Sequence, residues 1–140
     1  MLIGGGTVTD ASPFLLSKDT LSLTVDAVIK AKGPGKWGER IKVDDKFTIT
    51  VIQQPPGTPN DHHYHLENEV WYIYKGELTW QYEHHPKPVR VKAGDFVFAP
   101  ANLWHHIEPV GTETTIRIAM TPTGEFHRYD RPGCKQLPKE

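Results

Sequence analysis

Short alternations of polar and apolar residues, each closed by a glycine or proline turn, recur along most of this chain, and that punctuation constrains the fold more than any other feature. Leu21, Leu23, Val25 and Ala27 alternate with Ser22, Thr24 and Asp26, the period-two pattern of a half-buried strand. Phe47-Thr-Ile-Thr-Val-Ile repeats the pattern with β-branched residues. Glu69-Val-Trp-Tyr-Ile-Tyr, Leu78-Thr-Trp-Gln-Tyr, Val89-Arg-Val, Phe96-Val-Phe, His105-His-Ile and Thr114-Thr-Ile-Arg-Ile-Ala-Met follow at short intervals. Turn signals separate them: Gly33-Pro-Gly, Pro55-Pro-Gly, Lys75-Gly, His85-Pro-Lys-Pro, Ala93-Gly-Asp and Pro109-Val-Gly. The single helix expected is short, over Ser12-Pro-Phe-Leu-Leu-Ser-Lys, with Ser12 as cap and Pro13 at the first helical position. Many short strands at even spacing predict an all-β barrel or sandwich and argue against βαβ units.

At 140 residues the chain fits one domain with one core. A barrel core over about 20–120 is expected, with an N-terminal arm over 1–19 and a polar, proline-punctuated tail over 121–140 that wraps the barrel or frays. Sixteen basic and seventeen acidic residues are evenly mixed, for a net charge of −1. No clustered positive field results, so neither nucleic acid nor an anionic membrane is an expected partner. The N-terminal Met1-Leu-Ile-Gly-Gly-Gly has neither a basic region nor a long apolar run, so neither a signal peptide nor a membrane span is expected. Cys134 is the only cysteine, which precludes an intrachain disulfide and makes a cytoplasmic location the expectation.

Histidine carries the chemical signal. Six of the eight histidines fall in adjacent pairs, His62-His63, His84-His85 and His105-His106. Side chains two apart on a strand share a face, so His63 and His65 project together, and Glu69 keeps their parity. Two imidazoles and a carboxylate on one face of a curved sheet make a partial metal site, and a fourth ligand must come from a neighbouring hairpin. The stretch from Gly94 to His105 offers one. By the same parity His62 and His106 face outward or line the rim. His84 and His85 belong to a solvated hairpin loop.

These two segments resemble the two motifs of the cupin superfamily. Gly57, His63, His65, Glu69 and Gly76 match the first motif without a gap, and Gly94, Pro100 and His105 match the second. Asn102 stands where the family usually has glycine, and Pro109 where it often has asparagine. Asparagine tolerates a positive φ, so the turn at Asn102 survives the exchange. The resemblance covers roughly residues 47–120 and implies a small single-domain jelly-roll barrel, the double-stranded β-helix, with a metal inside one end. His63, His65, Glu69 and His105 are its expected ligands. Three neutral imidazoles and one carboxylate suit a divalent transition metal, Fe, Mn, Ni, Co or Zn, and no thiolate is present to favour a softer ion.

Trp71 shares the parity of Glu69 and should point into the barrel as pocket wall or core. Arg117, in an otherwise apolar last strand, would anchor a substrate carboxylate if it points inward. Phe98, with Phe96, is a core candidate that would line the cavity. Trp71, Arg117 and Phe98 are therefore the candidate substrate contacts. Trp104 faces away from the site, toward packing or an interface. The resemblance implies a metal-dependent enzyme on a small organic molecule, foremost an Fe(II)-type dioxygenase. A lyase, decarboxylase or isomerase of the same fold, and a non-enzymatic small-molecule-binding module, are the alternatives. It also implies a homodimer, with the segment around Leu2-Ile3 available as an exchanged edge strand.

Overall fold

The computed structural model describes residues 12–58, 60, 62–124 and 127–135. The Leu2-Ile3 segment lies outside the described residues. The elements in chain order are α1 (Val25–Lys32), β1 (Trp37–Val43), β2 (Phe47–Gln54), β3 (Glu69–Lys75), β4 (Glu77–Tyr82), β5 (Val89–Lys92), β6 (Phe96–Ala99), β7 (His105–Pro109) and β8 (Thr115–Pro122). They form a five-stranded sheet in the order β1-β2-β8-β3-β6 and a three-stranded sheet in the order β5-β4-β7. Every pair is antiparallel. This is the all-β architecture that the strand punctuation predicts and the jelly roll that the cupin resemblance implies.

The core lies between the sheets. Trp71, Ile73, Val97 and Ala119 from the larger sheet meet Leu78, Trp80, Val91 and Ile107 from the smaller one. The Trp71 and Trp80 rings sit 5.2 Å apart, tilted by 55°. Burying each of these large side chains is worth roughly 1.5–3 kcal/mol, which makes them the main source of stability. A second cluster, Val28, Ile41, Val51 and Ile116, covers the other face of the larger sheet beneath α1. That part of the sheet is thus buried on both sides, and its strands lose the clean alternation of a half-exposed sheet.

Two local expectations are corrected. The stretch expected as a first strand, Leu21 to Ala27, leads into a helix, because the residues around it carry helix signals. Thr24 has an extended backbone, and its Oγ1 accepts the Ala27 N–H at 3.1 Å. Asp26 lies in the first turn and Lys30 and Lys32 in the last, matching the helix dipole, and Gly33 caps the end with φ +78°. The helix expected after Ser12 does not form. Ser12 does start a turn, its Oγ accepting the Phe14 N–H at 3.0 Å and its carbonyl the Leu15 N–H at 3.2 Å. However, the Leu16 N–H that would continue a helix donates instead to the Ile41 carbonyl at 2.8 Å, which lays the chain along β1. β1 itself, Trp-Gly-Glu-Arg-Ile-Lys-Val, was not anticipated, because its three charged residues obscure the pattern.

Gly76, between β3 and β4, has φ +84°, and a Cβ there would lie 2.8 Å from Thr115 Cγ2 and 3.1 Å from Thr115 Cα. Only glycine fits that crossing. Asn102 adopts φ +70°, as expected of a residue standing in for the family's glycine.

Candidate metal centre

The four candidate ligands come together because of how the strands meet. His63 and His105 form an isolated antiparallel bridge, His105 N–H donating to the His63 carbonyl at 2.8 Å and His63 N–H to the His105 carbonyl at 3.3 Å. Glu69 opens β3 and His105 opens β7. One donor atom from each of His63, His65, Glu69 and His105 lies within 4.8 Å of all the others, and all four residues are buried. His65 Nε2 approaches Glu69 Oε1 to 2.9 Å, and His105 Nε2 approaches the same oxygen to 3.6 Å. The ring of His63 lies 4.8 Å from that of His65 and 4.6 Å from that of His105.

The chemistry of this cluster fits a cation. Both ring nitrogens of His105 and Nδ1 of His63 are buried with no hydrogen-bond partner among the described residues. Orphaned polar atoms at such depth cost free energy unless a partner such as an ion takes them up. Burial, followed by the neighbouring His105, holds the His63 imidazolium far below its ordinary range. Burial and then His65 push His105 down to about 3. Both rings are therefore neutral near pH 7, the form in which imidazole ligates a metal.

The family model of the cupin domain matches residues 50–122. The chain belongs to the cupin family. Its fold is similar to that of an RmlC-like cupin family protein from Methanocaldococcus jannaschii, with a TM-score of 0.60 at 20% identity over 84% of this chain and 93% of the other. It also resembles a conserved double-stranded β-helix protein from Klebsiella pneumoniae, with a TM-score of 0.64 at 18% identity over 77% and 96% of the two chains. A provisionally assigned sugar phosphate isomerase from Acidithiobacillus ferrooxidans gives a TM-score of 0.62 at 21% identity over 80% and 88%. No curated protein shows significant sequence similarity to the chain. Likeness at these identities shows the double-stranded β-helix fold alone.

In this cupin the residues around the candidate ligands divide into an aromatic floor, an open cavity and a strap. Trp71 is buried, its ring 5.3 Å from that of His105, and with Trp80 it forms the floor. Arg117 does point inward, yet it is packed into that floor. Its Nη1 donates to Gln54 Oε1 at 2.6 Å and its guanidinium sits 6.0 Å from the centre of the Trp80 ring. Burial pushes it down to about 10, with the Glu69 carboxylate opposing that shift. Phe98 does not line the cavity, contrary to expectation. It stands opposite Val70 with the outward parity of β6, 49% exposed, while its neighbours Val97 and Ala99 oppose Trp71 and Glu69 on the inner face.

The remaining histidines stand where strand parity puts them. His62 and His106 lie outside the ligand cluster, their rings stacked 4.0 Å apart, with Trp104 edge-on to His62 at 5.4 Å. His84 and His85 lie in the exposed turn after β4.

A cavity of about 440 Å³ opens beside the centre, lined by His65, Glu69, His127, Arg40, Thr48 and Thr50 among others. His127 is the site residue that sequence reasoning missed. Its ring stacks on His63 at 3.9 Å with an interplanar angle of 6°. It is brought there by the tail, which wraps the barrel as a strap. Lys135 bridges His62 and Arg128 bridges Tyr64 through the backbone. Tyr64 Oη donates to Asp130 at 2.5 Å, and Arg131 pairs with Glu83 at 2.8 Å while donating to the Asn102 carbonyl. A Cβ at Gly133 would lie 2.7 Å from Trp104 Nε1, so Trp104 packs against this strap. No local period marks such a segment, and the only available signal was a histidine in a polar tail.

Proposed function

We propose that this cupin is a divalent-metal enzyme acting on a small polar molecule, with His63, His65, Glu69 and His105 as the metal ligands. The observation that carries the reading is that two of these donors, His65 and Glu69, also line the cavity, so a molecule in the cavity reaches the ligand cluster directly. When bound, a divalent ion supplies Lewis acidity to a carbonyl or carboxylate oxygen, the chemistry of isomerases and lyases. His63 and His105 enter as neutral donors and Glu69 brings the negative charge. Trp71 and Trp80 keep water from the inner side of the cluster, which strengthens electrostatic interactions there. Threonine hydroxyls along the wall orient the hydroxyls or carbonyls of a polar substrate. The test is to load purified chain with Mn(II), Ni(II), Zn(II) or Fe(II) and follow isomerisation or elimination of hydroxy and keto acids by NMR. Turnover that disappears in a metal-depleted His105→Ala variant supports the reading. A ligand that binds tightly with no turnover in any metal form would leave a non-enzymatic binding module as the better description.

A second reading, an Fe(II)-type dioxygenase, is favoured by the aromatic floor, since buried indole rings beside the centre suit oxygen chemistry. Oxygen uptake by the iron-loaded chain against aromatic, thiol and keto-acid substrates separates the two. We also propose a homodimer in which the exposed rings of Phe96 and Phe98 on edge strand β6 are covered by a second copy. Sedimentation of a Phe96→Ser/Phe98→Ser variant as a monomer, against a dimeric parent, tests this.

A further inference from the structure

Arg40 occupies a place that its strand's simple alternation would deny it. It and Val43 are three residues apart, so on a regular strand they would face opposite sides, yet both line the cavity. The register explains this. Arg40 pairs with Thr50, and Lys42 with Ile49, so Ile41 is an extra residue in a β-bulge. Ile41 is buried beneath α1, and the strand resumes with Val43 opposite Thr48 on the inner side. The cross-strand row from Arg40 runs through Thr50 and Ala119 to Trp71, so Arg40 stands on the sheet face that carries the ligand cluster.

Arg40 is exposed, and among the described residues its charge has no counterpart. Arg90 pairs with Glu77, Arg131 pairs with Glu83, and Arg117 donates to Gln54, whereas no described carboxylate pairs with Arg40. Among the described residues lining the cavity, Glu69 is the single acid, and it belongs to the ligand cluster. Between the two charges run hydroxyls. Thr48, Thr50, Thr121 and Thr123 all line the cavity, with Thr48 Oγ1 and Thr123 Oγ1 2.8 Å apart.

We infer that Arg40 is the anion-binding end of the substrate site, and that the substrate is a hydroxylated acid whose far carboxylate or phosphate meets Arg40 while its other end reaches the ligand cluster. This rests on the proposed reading of that cluster as the reaction centre. A guanidinium presents paired donors that match either anion, and the threonines supply partners for hydroxyls between the ends. Three inter-strand steps separate the backbone of Arg40 from that of Trp71, about 14 Å. The two long side chains span part of that distance, which leaves room for a chain of a few carbon atoms.

The test is calorimetric titration of the zinc-loaded chain and of the chelator-treated chain with four probes: sorbitol, gluconate, glucarate and 6-phosphogluconate. The acids with an anion at both ends should bind the loaded chain more tightly than gluconate, and sorbitol should bind least. Arg40→Gln should weaken the two-ended acids by about 10- to 100-fold, the range of a charge-assisted hydrogen-bonded pair, while leaving zinc content unchanged. Arg40→Lys should retain part of the gain. Preference between glucarate and 6-phosphogluconate assigns the anion as carboxylate or phosphate. If the chain takes up no metal, the proposed reaction centre fails, yet the Arg40-dependent preference is still read on the chelator-treated chain. Equal affinities in parent and Arg40→Gln, or no binding of any two-ended acid, would overturn the inference.

Discussion

Acidifying the metal-free protein should destabilise it steeply between pH 7 and pH 5. His63 and His105 are both buried and held neutral, His105 down to about 3 and His63 lower still, in each case chiefly by burial. In the unfolded chain each histidine titrates near the ordinary value of about 6.5, so the unfolded state takes up protons that the folded state refuses. Stability from this source is therefore fully present above about 6.5 and is lost progressively as the pH falls toward the folded values. A histidine that titrates near 6.5 unfolded and stays neutral when folded costs about 2 kcal/mol between pH 7 and pH 5, so the pair costs about 4 kcal/mol. That is a large fraction of the 5–15 kcal/mol typical of a domain. The carboxylates with lowered values, Glu39, Asp44, Glu77 and Asp130, shift in the opposite sense and lose their contribution only below about 4.5, outside the window. Urea unfolding of chelator-treated protein, followed by circular dichroism, reads the effect. With a slope of about 2 kcal/mol per molar urea, the midpoint should fall by about 2 M between the two pH values. A His63→Gln/His105→Gln double variant should show a much flatter dependence. A parent midpoint that moves by less than about 0.5 M on the same slope would refute the claim that both imidazoles stay buried and neutral.

Three further outcomes follow from particular contacts. His105→Ala should cut metal content at least about 100-fold in affinity, more than the 10- to 100-fold typical of a supporting residue, while far-ultraviolet circular dichroism stays unchanged; full occupancy by elemental mass spectrometry would remove His105 from the ligand set. Gly76→Ala should cost about 2–5 kcal/mol, combining the left-handed backbone with the contact against Thr115, whereas Gly94→Ala, with φ +97° and open space around it, should cost only about 1–2 kcal/mol; equal midpoints in urea would contradict this. Tyr64→Phe combined with Arg131→Gln should leave the global midpoint nearly unchanged but speed amide exchange and proteolysis within residues 127–135, since Asp130 and Arg131 tie the strap to Tyr64 and Glu83 of the barrel; unchanged protection there would show that the backbone bridges alone hold it.

The candidate ligands were legible because each lies on an extended segment where parity is a dependable guide. His63 and His65 share a face, Glu69 begins a strand in step with them, and His105 arrives through a backbone bridge to His63. The direction of Arg117 was harder to read, and the reason is physical. Its neighbours Ile116 and Ile118 look like an inward pair, but Ile116 packs in the cluster beneath α1, on the outer side of the sheet. A helix laid over a sheet turns the outer face apolar, so the charged residue becomes the inward one. The same helix was itself misread, since a short alternating run up to Ala27 satisfies the strand pattern before the capping residues are weighed.

What remained illegible is the wall of the cavity. The cavity wall depends on Arg40, whose partnership with Val43 requires one extra residue at Ile41, and on His127, which reaches His63 through a strap held by Tyr64, Glu83 and Trp104. A one-residue bulge reverses every later side chain on its strand, and no alternation pattern reveals it in advance. A strap has no period at all, only long-range partners. The ligand cluster is built on strands, where register is over-determined by the core around Trp71 and Trp80, whereas the cavity wall is built on a bulge and a tail that the core does not constrain. Exchanges at Arg40 and His127 therefore have room to alter the cavity while the four candidate ligands keep their places, which is how one fold serves many reactions.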